Sequence, residues 1–209
     1  MKKVNVYQYV DEAIASLDNG GRFYNILTKA NDGVISQAEL GKVGGVFNDI
    51  QKMILFFELA TSELAESNKM VLLSKMEDKL KKGYHKFTPQ KMIPSEAIGK
   101  GVLSSSAILT GIPEMITSKT DFNGFIMVPV MTGKTTTFIM VPLIDAYDIY
   151  ELKDDLHSET FIIAHAKSKE KLPNKKIKVA GVFKELKAGM EENSNAKMFL
   201  EMVYYSDLP

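Results

Sequence analysis

Hydrophobic and polar positions change their period near the middle of the chain. Before residue 84 apolar residues recur every three or four positions, and from Asp121 onward they alternate. The first spacing is that of an amphipathic helix and the second that of a strand. Val6, Val10, Ala13, Ile14 and Leu17 predict a helix that opens on a capping-box spacing from Asn5 to Gln8 and stops at Asn19-Gly20-Gly21. A short helical piece is expected from Arg22 to Lys29. Ser36 and Glu39 have the spacing of a second capping box. From Val46 to Leu64 apolar residues cover so much of the helical surface that the helix should be buried on most sides. A further helix, capped by Ser67 or Asn68 and ended by Gly83, turns Leu72, Leu73, Met76 and Leu80 inward. These last two helices should pack as an antiparallel pair.

The second half is organised around a doubled phrase. Residues 125–130 read Phe-Ile-Met-Val-Pro-Val, and 138–143 read Phe-Ile-Met-Val-Pro-Leu. Two β-branched apolar runs around a glycine predict a β-hairpin. With Gly133-Lys134 as the turn pair, Thr132 faces Thr135, Pro129 faces Phe138 and Phe125 faces Pro142. Both faces are then apolar, so both need cover: the N-terminal helices on one, the rest of the sheet or another subunit on the other. Strands are further expected at 147–152, 160–166, 177–186 and 197–205. The fold class is α+β, a helical N-terminal half packed on a C-terminal antiparallel β-sheet or small barrel. Residues 1–83 form the helical region, 84–118 a connecting segment broken by Pro89, Pro94 and Pro113, and 119–209 the β domain.

Composition narrows the chemistry. The 209 residues carry a formal net charge of zero, so no global field draws in nucleic acid or an anionic membrane. Arg22 is the only arginine, which argues against reading of guanine edges. The absence of cysteine removes disulfides, thiolate nucleophiles and cysteine-bound zinc. Polar residues follow Met1-Lys2-Lys3 too soon for a signal peptide, and the expected compartment is the cytoplasm. No metal-ligand spacing relates His85, His157 and His165. His165 alternates with Phe161 and Ile163, which makes it a structural histidine at the edge of a buried face. Thr132 to Thr136 imitates the end of a P-loop, but Val128 stands where its first glycine belongs. No catalytic residue, cofactor site or metal site is assigned.

Charge is segregated in one place. Asp145, Asp148, Glu151, Asp154, Asp155 and Glu159 face only Lys153. Lys167, Lys169, Lys171, Lys175, Lys176 and Lys178 follow, opposed only by Glu170. The acidic block has the chemistry for a hard cation and the basic block for phosphates. Solvated faces, or pairing between the blocks, account for the same residues.

Two partial resemblances remain. Asn31 to Leu40 resembles the back half of a degenerate EF-hand loop, with Ala30 and Thr28 in place of its first acidic ligands. The order of strands after Tyr147, with a basic loop before Lys178-Val179-Ala180-Gly181-Val182, resembles an OB-fold in outline. That resemblance implies binding of single-stranded nucleic acid on aromatics beside lysines, with Tyr147, Tyr150, Phe161 and Phe183 as the aromatics. The preferred reading is a non-catalytic protein that works through protein–protein contact, with itself as partner and no membrane. Its interface would comprise Phe125, Met127, Val128, Phe138, Met140 and Val141. The alternative is a single-stranded nucleic-acid binder using the six lysines. An enzyme of unrecognised class ranks third.

Overall fold

The computed structural model describes residues 1–20, 29–116, 124–132, 135–154, 159–188 and 197–208. In the N-terminal half, α1 (Val10–Leu17), α2 (Gln37–Gly44), α3 (Ile50–Ala60), α4 (Glu66–Lys75) and α5 (Asp78–Phe87) follow β1 (Lys2–Lys3). The Ser36–Glu39 capping box forms as expected, with Ser36 Oγ accepting the Glu39 N–H and the Glu39 carboxylate accepting the Ser36 N–H. The spacing from Asn5 to Gln8 forms no box; α1 starts after Tyr9, which caps nothing with its side chain. The helix expected to run to Gly83 is two helices. Ile35 donates to the Lys75 carbonyl and accepts from the Glu77 N–H, which pulls Met76 into extended backbone between α4 and α5. Gly83 lies inside α5 rather than at a helix end. A Cβ there would lie 2.3 Å from Ile50 Cγ2, so the glycine lets α5 press against the start of α3. The piece expected from Arg22 lies outside the described residues but for Lys29.

The strands form a ring. After β2 (Gln90–Met92) and α6 (Pro94–Lys100) come β3 (Ser106–Ile116), β4 (Gly124–Thr132), β5 (Thr135–Pro142), α7 (Leu143–Ala146), β6 (Tyr147–Lys153), β7 (Thr160–Ala166), β8 (Ile177–Ala188) and β9 (Lys197–Asp207). β3 pairs antiparallel with β6, β6 with β7, β8 with β9, and β8 with β3. The parallel pair of β7 with β9 closes the circuit. The class is α+β, and five strands, β3, β6, β7, β9 and β8, close the ring. β3 thus lies within the stretch 84–118 and supplies a wall of the barrel, with β2 paired to it.

Two glycines permit the closure. β3 leaves β8 at Gly111 and joins β6 at Ile112, where a Cβ on Gly111 would lie 2.4 Å from the Lys153 carbonyl oxygen. The β8–β9 register shifts between Ala180 and Gly181, and a Cβ on Gly181 would lie 2.4 Å from the Glu201 carbonyl oxygen. Alternation sends Tyr150, Leu152, Phe161, Ile163 and Phe183 into the barrel. Ile108, Ala180, Val182 and Tyr204 point outward into one apolar core with α3. The Phe56 and Tyr204 rings meet edge to face at 5.8 Å, and the Tyr204 hydroxyl donates to the Gly44 carbonyl. No helix among the described residues is long and apolar enough to cross a membrane.

Candidate functional site

β4 and β5 form the hairpin in the register read from the sequence, from Phe125 opposite Pro142 to Thr132 opposite Thr135. The pair Gly133-Lys134 itself lies outside the described residues. What differs from expectation is the cover. Of the described strands outside the hairpin only β8 pairs with it, through Gly124 and Phe125 at its base. The N-terminal helices pack on the outer wall of β3, β8 and β9, and no described side chain of the hairpin belongs to the core they form. Met127, Met131, Phe138 and Met140 are 40%, 77%, 61% and 46% exposed, and Ile139 on the other face 49%. Phe125 and Val141 are half-buried, and the side chain of Val128 lies outside the described residues. From Gly124 to Leu143 the sequence has one charged residue, Lys134. The hairpin is therefore an apolar arm with a single charge, inserted between β3 and β6.

A cavity of about 300 Å³ lies where the arm joins the barrel, lined by Ile126, Met127, Tyr147, Lys184, Glu185, Phe199 and Glu201. The Tyr147 hydroxyl donates to Glu201 at 2.8 Å, and its ring meets Phe199 edge-on. Burial first, and then the Glu201 carboxylate, push the Tyr147 hydroxyl up to about 12. Lys184 Nζ sits 3.8 Å from the other Glu201 oxygen. Two carboxylates against one lysine make the cavity a poor host for phosphate. Sequence reasoning missed Glu201 and Lys184, because nothing local tells which β9 side chain faces β6 across the barrel mouth.

The nucleic-acid residues are not brought together. Tyr150, Phe161 and Phe183 are buried inside the barrel, so they offer no face for stacking; Tyr147 alone is half-exposed. Lys171 binds Asp148 at 2.7 Å, Lys175 binds Asp207 at 3.0 Å, and Lys178 reaches Glu63 between α3 and α4. Lys167 and Lys169 are exposed on the loop after β7, and Lys176 is exposed but engaged. Pairing between the acidic and basic blocks is thus realised at Asp148 and Lys171.

Asp148 and His165 face each other across β6 and β7 at one end of the barrel interior. His165 is buried, its ring stacked on Tyr150, with Nδ1 2.8 Å from the Ala166 carbonyl and Nε2 without a hydrogen-bond partner. This is deeper than the edge position expected. Burial raises the Asp148 carboxyl, but the Lys171 ammonium and the Ser168 N–H outweigh it and hold the group below the usual carboxylate range. Burial lowers the His165 imidazole despite the Ala166 carbonyl and Asp148.

In the EF-hand-like stretch, Glu39 accepts the N–H groups of Gly20 and Ser36 and the Ser36 hydroxyl, and Asp32 accepts the Val34 N–H. Buried Asp18 accepts the N–H groups of Asp32 and Gly33. The carboxylates thus organise the backbone of the turn. Among the described residues no three acidic, histidine or cysteine side chains gather as a metal site. Compared with known proteins, the chain matches no family model and no curated sequence.

Proposed function

We propose that this chain is a non-catalytic protein that acts through protein–protein contact, associating with itself through the β4–β5 arm. The exposed apolar arm carries this reading: Met127, Phe138 and Met140 on one face and Ile139 on the other keep much of their apolar surface in water. A monomer that left such a hairpin in water would aggregate through it. The arm lacks the charge that a polyanion requires and the converging carboxylates, histidines or nucleophiles that catalysis requires.

Solution mass tests it. The wild-type chain should sediment as an oligomer, and Phe138→Asp, at an exposed position, should sediment as a folded monomer with little change in melting temperature. A wild-type monomer at all concentrations up to about 100 μM, roughly 5 kcal/mol of association at most, would remove the reading.

A second reading, single-stranded nucleic-acid binding, draws on a separate observation. In the OB-fold, ligands bind at the strand 2–3 face and at the loops joining strands 1 to 2 and 4 to 5. Here the arm occupies the first of those connections, and its Gly124 pairs with Ala188 at the start of the second.

A further inference from the structure

We infer that the outer edge of β5 is a docking strand for β5 of a second copy, paired antiparallel about Phe138. This rests on the self-association reading and adds the surface and the register.

The prolines decide which backbone groups face outward. In an antiparallel ladder, opposed residues alternate between pairs that exchange both hydrogen bonds and pairs that exchange none. The β4–β5 ladder runs unbroken past Pro129 opposite Phe138 and Phe125 opposite Pro142. Proline has no N–H, so both must be non-bonded pairs, and the two have the same parity. Thr136, Phe138 and Met140 share that parity. Their N–H and C=O groups therefore point away from β4, to the outer edge of β5. No described strand pairs with that edge. Thr136, Phe138 and Met140 are all exposed.

The two edges of the arm are treated differently. On β4, Pro129 removes a donor from the middle of the outer edge. On β5, the corresponding proline, Pro142, comes only at the end of the strand, where it meets α7. Proline in mid-edge is a common guard against strand addition. One edge is guarded and the other is open from Thr136 to Met140.

A second copy fits the open edge. Antiparallel pairing about Phe138 sets Phe138 against its own counterpart, and Thr136 against Met140 on both sides. Each of these pairs exchanges two hydrogen bonds, since every residue in it faces outward. Opposed residues share a face, so the exposed apolar face of one arm continues into that of the other. The pairing is isologous and closes on itself. It also matches in charge. No charged residue lies in β5, and the antiparallel arrangement holds the two arm tips, with the one lysine between Thr132 and Thr135, at opposite ends. A charged partner segment would find nothing to pair with there.

Two variants test the register. The chain has no cysteine, so Phe138→Cys introduces a single thiol. Its counterpart in a bonded pair would lie about 5.5 Å away between Cα atoms, within disulfide reach. Mild oxidation should convert most of Phe138→Cys into covalent dimer and leave Met131→Cys, near the arm tip, uncrosslinked. Met140→Pro removes an outward N–H while sparing the β4–β5 ladder, as Pro142 does. It should be folded by circular dichroism and sediment at half the mass of the wild type, whereas Met140→Thr should keep the wild-type mass. A monomeric wild type overturns the self-association reading and this inference together. An oligomeric wild type whose Phe138→Cys stays uncrosslinked and whose Met140→Pro keeps its mass overturns only the β5 register.

Discussion

His165 shows how a residue's chemistry is set by where its strand places it. The imidazole is buried with Nδ1 turned to a carbonyl and Nε2 4.0 Å from Asp148 without a hydrogen bond, and burial favours the neutral ring. The neighbours bear on the sign: Asp148 favours charge, Lys171 opposes it, Tyr150 stacks on the ring, and burial dominates. The folded imidazole titrates below its ordinary value of about 6.5. Between the two values the unfolded chain binds the extra proton, so stability is complete above about pH 6.5 and declines as pH falls through that window. Asp148 adds a loss of the same sign at lower pH, since its folded carboxyl is held below the unfolded one. The melting temperature of the wild type should therefore fall between pH 7.5 and pH 5.5. In His165→Phe that fall should be smaller; an equal fall would place the titrating group elsewhere.

At the scale of elements, the contact of α3 with α5 rests on an absent side chain. Gly83 faces Ile50 closely enough that a Cβ would overlap its Cγ2. Overpacking of this kind costs roughly 1–3 kcal/mol, as much as or more than the roughly 1 kcal/mol by which alanine exceeds glycine as a helix former. Gly83→Ala should lower the denaturant midpoint. Gly83→Ala with Ile50→Ala should lie closer to the wild type than the two single losses added together, because the residues share one space. Additive losses would show that the helices separate independently of this contact. The same pair of helices shows what the sequence concealed. A helical pattern continues through Met76, yet the backbone breaks there because Ile35, far away in the chain, competes for its neighbours' hydrogen bonds.

At the scale of the molecule, the barrel topology and the surface chemistry point in different directions. A nucleic-acid reading needs exposed aromatics beside free lysines, but Tyr150, Phe161 and Phe183 face inward and Lys171, Lys175 and Lys178 are held in ion pairs. Exposed ion pairs are individually weak, so salt would release those lysines as readily as it screens a phosphate. Fluorescence anisotropy with a labelled single-stranded oligonucleotide should show binding weaker than about 10 μM at physiological salt, within the non-specific range. Tighter binding that falls steeply with salt, and whose slope flattens in a Lys175, Lys176 and Lys178 to glutamine variant, would favour the second reading over self-association.

Features that depend on neighbours in the chain were legible in the sequence. Alternation located β6 to β9, the Ser36–Glu39 spacing marked its capping box, and the doubled phrase set the register of the arm down to which residue faces Pro129. These follow from side-chain period, proline's missing donor and short-range hydrogen bonds, all of which are local. Features that depend on which surfaces meet were decided only by the tertiary structure. An apolar strand reads alike whether it faces a barrel interior, as at Phe161, or water, as at Phe138. Lys171 and Lys167 are equally basic as letters, yet only Lys171 lies beside buried Asp148. The arm was recognisable as a hairpin from its own residues, but how much of it stays exposed is decided by where the helices pack, and α3 packs on β3, β8 and β9. Such burial is a property of contacts between segments distant in sequence, and no local period encodes it.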